Sequence, residues 1–395
     1  MKTENGRQAT EFRALGAGGG VRFGFWVLGF VLLGFGVLGF SVLGSRELVP
    51  VLVQSVNAQS RTIVSDRPDT PFRLATFEVA GRARPGLVLD NRVLDITAAS
   101  DALAKRLNLP AMRFPADMRD LIETYDRLKP RLYQIANYYK TASDEATAFS
   151  YDLSTAALRA PIRYPYNVLA IAANYRLHAG EMFPPGSPQQ KAAEEADPDK
   201  EDPVFFAKSP RSCIIDPGDS YYIPPNRNID WEGELAIVIG TTAFDVTEAQ
   251  AHTHVFGYSI MYDVSDRGGQ GRPLTGMFPG TNWFRGKSRD RSAPFGPVIL
   301  PKEFAPNPPH FRIVTRVNDV VKQDGNTKNL IWDEAHMIRY LTSILTLYPG
   351  DVISSGTPDG VGAGRKPPEF LKAGDVVSIE IEGIGTLRTP MAAAR

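Results

Sequence analysis

Cysteine is nearly missing from this chain. Cys213 stands alone, which excludes an internal disulfide and any cysteine-rich zinc site. Net charge is missing as well, since Lys+Arg and Asp+Glu both number 44. No basic run interleaved with aromatics occurs, so no nucleic acid is expected as a partner. Neither Gly-x-x-x-x-Gly-Lys-Ser/Thr nor Gly-x-Gly-x-x-Gly is present in the glycine-rich stretch 356–362, which excludes the common phosphate-cradling loops there. No repeat with a period of about 20–50 residues appears. What remains is ordinary globular composition, 43% hydrophobic and 22% charged over 395 residues. That length suffices for one large domain with a smaller companion.

The N-terminus departs from that picture. Lys2, Arg7, Arg13 and Arg22 precede an apolar run from Phe23 to Leu43, about long enough to span a bilayer. Val56-Asn57-Ala58 before Gln59 has the small-residue pattern of a signal-peptidase site. Glycines interrupt the run, and no polar face is present, so a buried soluble helix does not account for it. The expectation is a cleaved export signal or a membrane anchor over residues 1–60, hence an exported or membrane-anchored protein touching the membrane only there.

From Phe72 the pattern becomes strand-like: Phe72–Val79, Gly86–Leu89 and Arg92–Ile96, with a turn at Asp90-Asn91. Apolar spacing predicts helices between about 98 and 148. Residues 70–160 thus read as a small N-terminal α+β domain, closed by the proline-marked linker at 159–165. Residues 161–395 form the main domain. Short strands are predicted at Val168–Ala173, Ser220–Ile223, Glu234–Ile239, His254–Tyr262, Arg312–Asn318, Asp351–Ser355 and Val376–Glu382, with one helix at Asp333–Leu345. The fold class is therefore mixed α+β and β-rich. Residues 183–203, with five prolines and clustered charge, predict a mobile surface loop.

Asp230-Trp-Glu-Gly-Glu-Leu-Ala-Ile-Val-Ile-Gly carries the most chemistry. On a strand, Glu232 and Glu234 share a face, about 6.5–7 Å apart. Two carboxylates at the mouth of a buried strand repel unless a cation neutralises them, and oxygen-only ligands suit Mg²⁺, Mn²⁺ or Ca²⁺. Asp263 ends a second strand and offers a third acid. His178 and Glu181 lie three apart, so one helical turn puts them on one face, where a carboxylate raises the basicity of an imidazole. Lys287 sits beside Gly286, suited to holding a developing oxyanion. Thr357, in the glycine-rich loop, offers a hydroxyl and nearby N–H groups to a substrate carboxylate.

Several blocks appear together in one order: Asn174-Tyr-x-x-His178-x-x-Glu181, Phe206-x-Lys208, Glu232-x-Glu234, Gly257-Tyr258, Asp263, Arg267 and Gln270, Gly286-Lys287-Ser288, Gly296-Pro297, Val317-Asn318, Pro349-Gly-Asp-Val-Ile, Gly356-Thr357-Pro-x-Gly360-Val-Gly362 and Glu382-Gly-Ile-Gly-Thr-Leu. In this the chain resembles the fumarylacetoacetate hydrolase family, in its 2-keto-4-pentenoate hydratase and 2-oxohepta-3-ene-1,7-dioate isomerase-like branch. The resemblance implies a rolled β-sheet main domain and a homodimer. It implies metal ligands at Glu232, Glu234 and Asp263, catalytic roles for His178, Glu181 and Lys287, and substrate contacts at Lys208, Arg267, Gln270 and Thr357. Gly268-Gly269-Gln270-Gly271 departs from the family's usual side chains.

The expected function is a divalent-metal-dependent hydrolase that cleaves a C–C bond in a small diketo or oxo acid, such as an acylpyruvate, through an enolate held at the metal. His178 with Glu181 would activate water, and the loop at 183–203 would act as a lid. The same chemistry serves an isomerase, hydratase or decarboxylase acting on an unsaturated 2-oxo acid. A metal-dependent oxo-acid binding protein without turnover is the alternative outside enzymes.

Overall fold

Alternation of apolar side chains along the strand Gly233–Ile239 sets the architecture. Leu235, Ile237 and Ile239 enter one core, and Ala236 and Val238 enter another. A strand buried on both faces must lie inside a layered structure, and this one does. In the computed structural model, which describes residues 64–269 and 282–394, it lies within a twelve-stranded sheet. From one edge that sheet runs through Ser150–Asp152, Arg92–Asp95, Arg82–Leu89, Arg73–Val79, Ala293–Pro301, Val255–Tyr262, Gly233–Ile239, Val352–Ser354, Val168–Ile171 and Phe205–Ala207. One face carries the helices Ile96–Leu107, Met118–Glu123 and Tyr125–Thr141, through Leu103, Leu121, Leu128 and Leu132. The other packs on a five-stranded sheet through Ile313, Val317, Ile379, Ile381 and Leu387.

The strands between Arg73 and Arg159 belong to the same large sheet, because Leu74 pairs with Ile299. All described residues fall within one compact unit, Ser60–Arg395. The helix that the sequence places at Asp333–Leu345 spans Glu334–Thr342, and Asp333 caps it by accepting from the N–H groups of Ala335 and His336. Besides several strands of two or three residues, three longer described strands escape sequence alternation. Ala293–Pro301 is rich in proline, Val320–Asn326 is a polar edge strand, and Gly385–Ala393 is broken by Pro390.

The region 183–203 contains more order than its composition suggests. Ser187 accepts from the Gln190 N–H at 3.1 Å, and Pro188 opens the helix Pro188–Glu194. Arg176 donates to the carbonyls of Glu194 and Ala196 at 3.1 and 3.0 Å, which ties this segment to the helix Arg176–Glu181. The N-terminal apolar run and Gln270 lie outside the described residues. Among the described residues no helix is long and apolar enough to cross a membrane.

Candidate metal and proton-transfer site

The antiparallel pair Gly233–Ile239 and Val255–Tyr262 builds the acid cluster. Glu234 stands opposite Met261, and the Asp263 N–H donates to the Glu232 carbonyl at 3.0 Å. With side chains alternating at period two, Glu232, Glu234 and Asp263 emerge on one face at one end of the pair. Each offers an oxygen within 4.8 Å of the others. Their exposures are 4%, 1% and 0%, so none is a solvated strand-end acid.

Buried charge of this density requires opposite charge nearby. The Lys287 ammonium, on the short helix Trp283–Lys287, donates to Glu232 Oε2 and Asp263 Oδ2 at 2.6 Å each and to Ser265 Oγ at 2.7 Å. Lys208 Nζ donates to Asp263 Oδ1 at 2.5 Å and to the Lys287 carbonyl. Arg267 pairs with Glu232 and, at 2.9 Å, with Asp230.

The three acids respond differently. Burial would raise Glu232, yet Lys287 and Arg267 outweigh it and hold the carboxyl well below its usual range. Among the described residues no cation pairs directly with Glu234. Burial, with Asp263 and Glu232 adding like charge, pushes it up to about 8, although it accepts from the Ser354 hydroxyl and from the Gly356 N–H at 3.1 Å. For Lys287, burial is outweighed by Asp263 and Glu232, which raise it. The donor set is all oxygen, compact and anionic, so it fits a divalent cation of the hard class.

Asn174 anchors the base. Its amide donates to the carbonyls of Trp332 and Ser355 at 2.9 Å and accepts from the Trp332 N–H at 2.8 Å, which fixes where the helix Arg176–Glu181 begins. One turn on, His178 Nδ1 meets Glu181 Oε1 at 2.5 Å. The second oxygen, Glu181 Oε2, accepts from the Gly360 N–H at 2.9 Å. With Nδ1 committed to a carboxylate, Nε2 is the ring's basic nitrogen. His178, Glu232, Glu234, Arg267, Lys287 and Thr357 all line one cavity of about 640 Å³. Met182, Phe183, Trp283 and Phe370 supply its apolar wall.

Two of the substrate-contact residues expected from sequence are placed differently. Lys208 is fully buried and supports Asp263 and the Lys287 backbone from beneath. Thr357 lines the cavity, but its hydroxyl donates to the Gly233 carbonyl at 3.0 Å and accepts from Gln323 at 2.7 Å. The loop's N–H groups are largely taken by site acids. Gly356 donates to Glu234, Gly360 to Glu181, and Gly362 and Ala363 to Asp230. Sequence reasoning missed Asp230, Ser265 and Ser354. Asp230 had a signal, standing two residues before Glu232. Ser354 had none, because its pairing with Ala236 joins segments far apart in the chain.

The family model for the C-terminal part of fumarylacetoacetate hydrolase matches residues 167–392. The chain belongs to the fumarylacetoacetate hydrolase family. Its described residues share the family's mixed α+β, sheet-rich fold, and it is an enzyme of that family. An oxaloacetate tautomerase of Bacillus subtilis, YisK, is 35% identical over 80% of this chain and 98% of its own length. A mitochondrial oxaloacetate tautomerase of Xenopus laevis is 31% identical over 83% and 92%. Among solved structures, maleylpyruvate hydrolase from Sphingobium sp. SYK-6, in complex with manganese(II) and pyruvate, is 25% identical over 82% of this chain and all of that one, with a TM-score of 0.59.

These relatives correct one expectation. An exported or membrane-anchored location, with a signal peptide or transmembrane segment, does not stand. The relatives whose names carry a location are mitochondrial, and the segment 1–60 itself lies outside the described residues.

Proposed function

We propose that this fumarylacetoacetate hydrolase family enzyme moves a proton at the carbon beside the oxo group of a small 2-oxo acid, interconverting its enol and keto forms. The observation that carries this reading is that one base and one acid cluster share a cavity: His178, oriented by Glu181, lines the same 640 Å³ space as Glu232 and Glu234. Tautomerisation needs a proton shuttle and no attacking water. The relatives named as oxaloacetate tautomerases, 31–35% identical over most of both chains, favour an oxo diacid as substrate.

Glu232, Glu234 and Asp263 would hold Mg²⁺ or Mn²⁺, whose Lewis acidity lowers the cost of carbanion character beside a carbonyl. Glu181 holds the imidazole in one tautomer, and His178 Nε2 would take the proton from carbon and deliver it to the enolate oxygen, giving the enol, the reverse transfers restoring the keto form. Lys287 and Arg267 keep cationic charge at the cavity floor, where negative charge grows on the substrate oxygen. The apolar wall keeps water away from that carbon.

C–C hydrolysis is the second reading, favoured by the maleylpyruvate hydrolase likeness. The deciding experiment follows the enol absorbance of oxaloacetate and the diketone absorbance of an acylpyruvate, with and without Mn²⁺. Metal-dependent acceleration of enol decay, with no new acid products, supports tautomerisation. Two acid products from the acylpyruvate, with the enol decay untouched, overturn it in favour of hydrolysis.

A further inference from the structure

Asp230 belongs to none of the roles assigned above, yet it is wholly buried and accepts four hydrogen bonds. Oδ1 takes the N–H groups of Trp231 at 2.8 Å and Gly362 at 2.6 Å. Oδ2 takes the Ala363 N–H at 3.0 Å and Arg267 Nε at 2.9 Å. It sits on the short strand Ile229–Asp230, opposite Ser265, which carries it beside the acid cluster.

Its carboxylate leads to both halves of the site, Oδ1 to the loop and Oδ2 to the loop and to Arg267. Through Arg267 it reaches Glu232, since the guanidinium bonds both carboxylates. Through Gly362 and Ala363 it fixes the loop whose Gly360 N–H holds Glu181, and Glu181 in turn holds His178. The loop has little freedom to settle elsewhere. A Cβ on Gly362 would lie 2.7 Å from Asp230 Oδ1, and one on Gly364 would lie 2.7 Å from Glu181 Oε2.

We propose that Asp230 is a positioning residue that aligns the metal ligand Glu232 and the base pair His178–Glu181 with one another. The inference rests on the reading of His178 and Glu181 as the proton-transferring pair. An uncharged amide of the same shape keeps one accepting oxygen and turns its NH₂ toward either Ala363 and Arg267 or Trp231 and Gly362, so in both orientations it loses a loop N–H and the ion pair with Arg267. Asp230→Asn should therefore loosen both arms at once. Outer partners of metal ligands typically matter by roughly 10–100-fold in metal affinity or activity.

The test compares the full chain as wild type, Asp230→Asn and Arg267→Gln. Mn²⁺ affinity is read by titration, and the His178 Nδ1–H signal by NMR in the Mg²⁺-loaded protein. His178→Gln identifies that signal among the five histidines. Asp230→Asn is expected to weaken Mn²⁺ roughly 10–100-fold and to shift or broaden the His178 signal, and at saturating Mn²⁺ to lower kcat more than it raises KM. Arg267→Gln is expected to weaken Mn²⁺ while leaving the His178 signal in place. An Asp230→Asn protein that loses metal affinity alone, the imidazole signal alone, or neither, overturns the proposal. If Asp230→Asn does not fold, wild-type amide signals decide: Mg²⁺ binding should shift Gly360, Gly362 and Ala363, and unmoved signals refute the link. The metal and NMR readouts need no turnover. A wild-type chain inactive on oxo acids would therefore sink the proposed reaction without touching this test.

Discussion

Replacing Lys287 by methionine removes a charge while keeping most of the side chain's length. In the metal-free protein the ammonium neutralises Glu232 and Asp263 together, at 2.6 Å from each, and is itself only 5% exposed. Removing one partner of a buried ion pair costs about 3–5 kcal/mol, because the other charge stays buried and uncompensated. With an unfolding entropy of about 2.1 cal/mol/K per residue over Ser60–Arg395, 1 kcal/mol moves Tm by roughly 1.5 °C. The metal-free Lys287→Met protein should therefore melt roughly 4–7 °C below wild type. A divalent cation restores positive charge to the same carboxylates, so saturating Mn²⁺ should raise the variant's Tm more than the wild type's, on top of about 2.7 kcal/mol for any one-site ligand at 100-fold its Kd. Calorimetric melts in EDTA and in Mn²⁺ read both effects. Equal melting temperatures in EDTA, or equal gains with Mn²⁺ in the two proteins, would refute the idea that Lys287 is the cluster's resident counter-charge.

Three further outcomes are expected. His178→Gln should lower kcat by roughly 10²–10⁴-fold with Mn²⁺ affinity unchanged, measured by steady-state kinetics beside a metal titration; a parallel loss of metal binding would contradict the assigned division of labour. Glu234, pushed up to about 8 in the metal-free site, holds its proton at pH 7 and must release it to a bound cation. Apparent metal affinity should thus climb as pH rises toward 8 and level off above, and calorimetry in buffers of different ionisation heat should report proton release; proton uptake, or none, counts against it. Gly360→Ala places a side chain at φ +101°, with Cβ 2.3 Å from the Lys322 carbonyl, and such backbone strain costs about 1–3 kcal/mol. Its Tm should fall and its turnover with it, because Glu181 loses a fixed N–H; wild-type values for both would remove the loop from the account.

How much of this was legible in the sequence depends on the range of the interaction. Glu232 and Glu234 were readable because a strand's period of two needs only three consecutive residues. His178 and Glu181 were readable because one helical turn brings i and i+3 together. The turn at Asp90-Asn91 and the helix that starts after Asp333 are equally local. Composition misled at 183–203, where charge and proline suggested an unstructured loop, because it ignores position: Ser187 followed by Pro188 is a helix start. The role of Lys208 was not readable, since nothing local distinguishes a lysine that is wholly buried against Asp263 from one on the surface.

Asp230 shows where reading from sequence stops for a physical reason. Its residue type and its place before Glu232 are visible, but its partners Gly362 and Ala363 stand more than a hundred residues away. Only the packed sheets bring them within reach, and no periodicity encodes that closure. The same holds for the glycines at 356–364. From sequence they look like a cradle with free N–H groups for an anionic ligand, yet the anions those groups meet are the protein's own Glu234, Glu181 and Asp230. A substrate carboxylate would have to displace one of those acids to reach the N–H groups of Gly356, Gly360 or Gly362, and each acid is buried or holds the base. Substrate selection is therefore better sought at the cavity floor, around Arg267 and Lys287, and along the wall formed by Met182, Phe183, Trp283 and Phe370, than in the glycine loop.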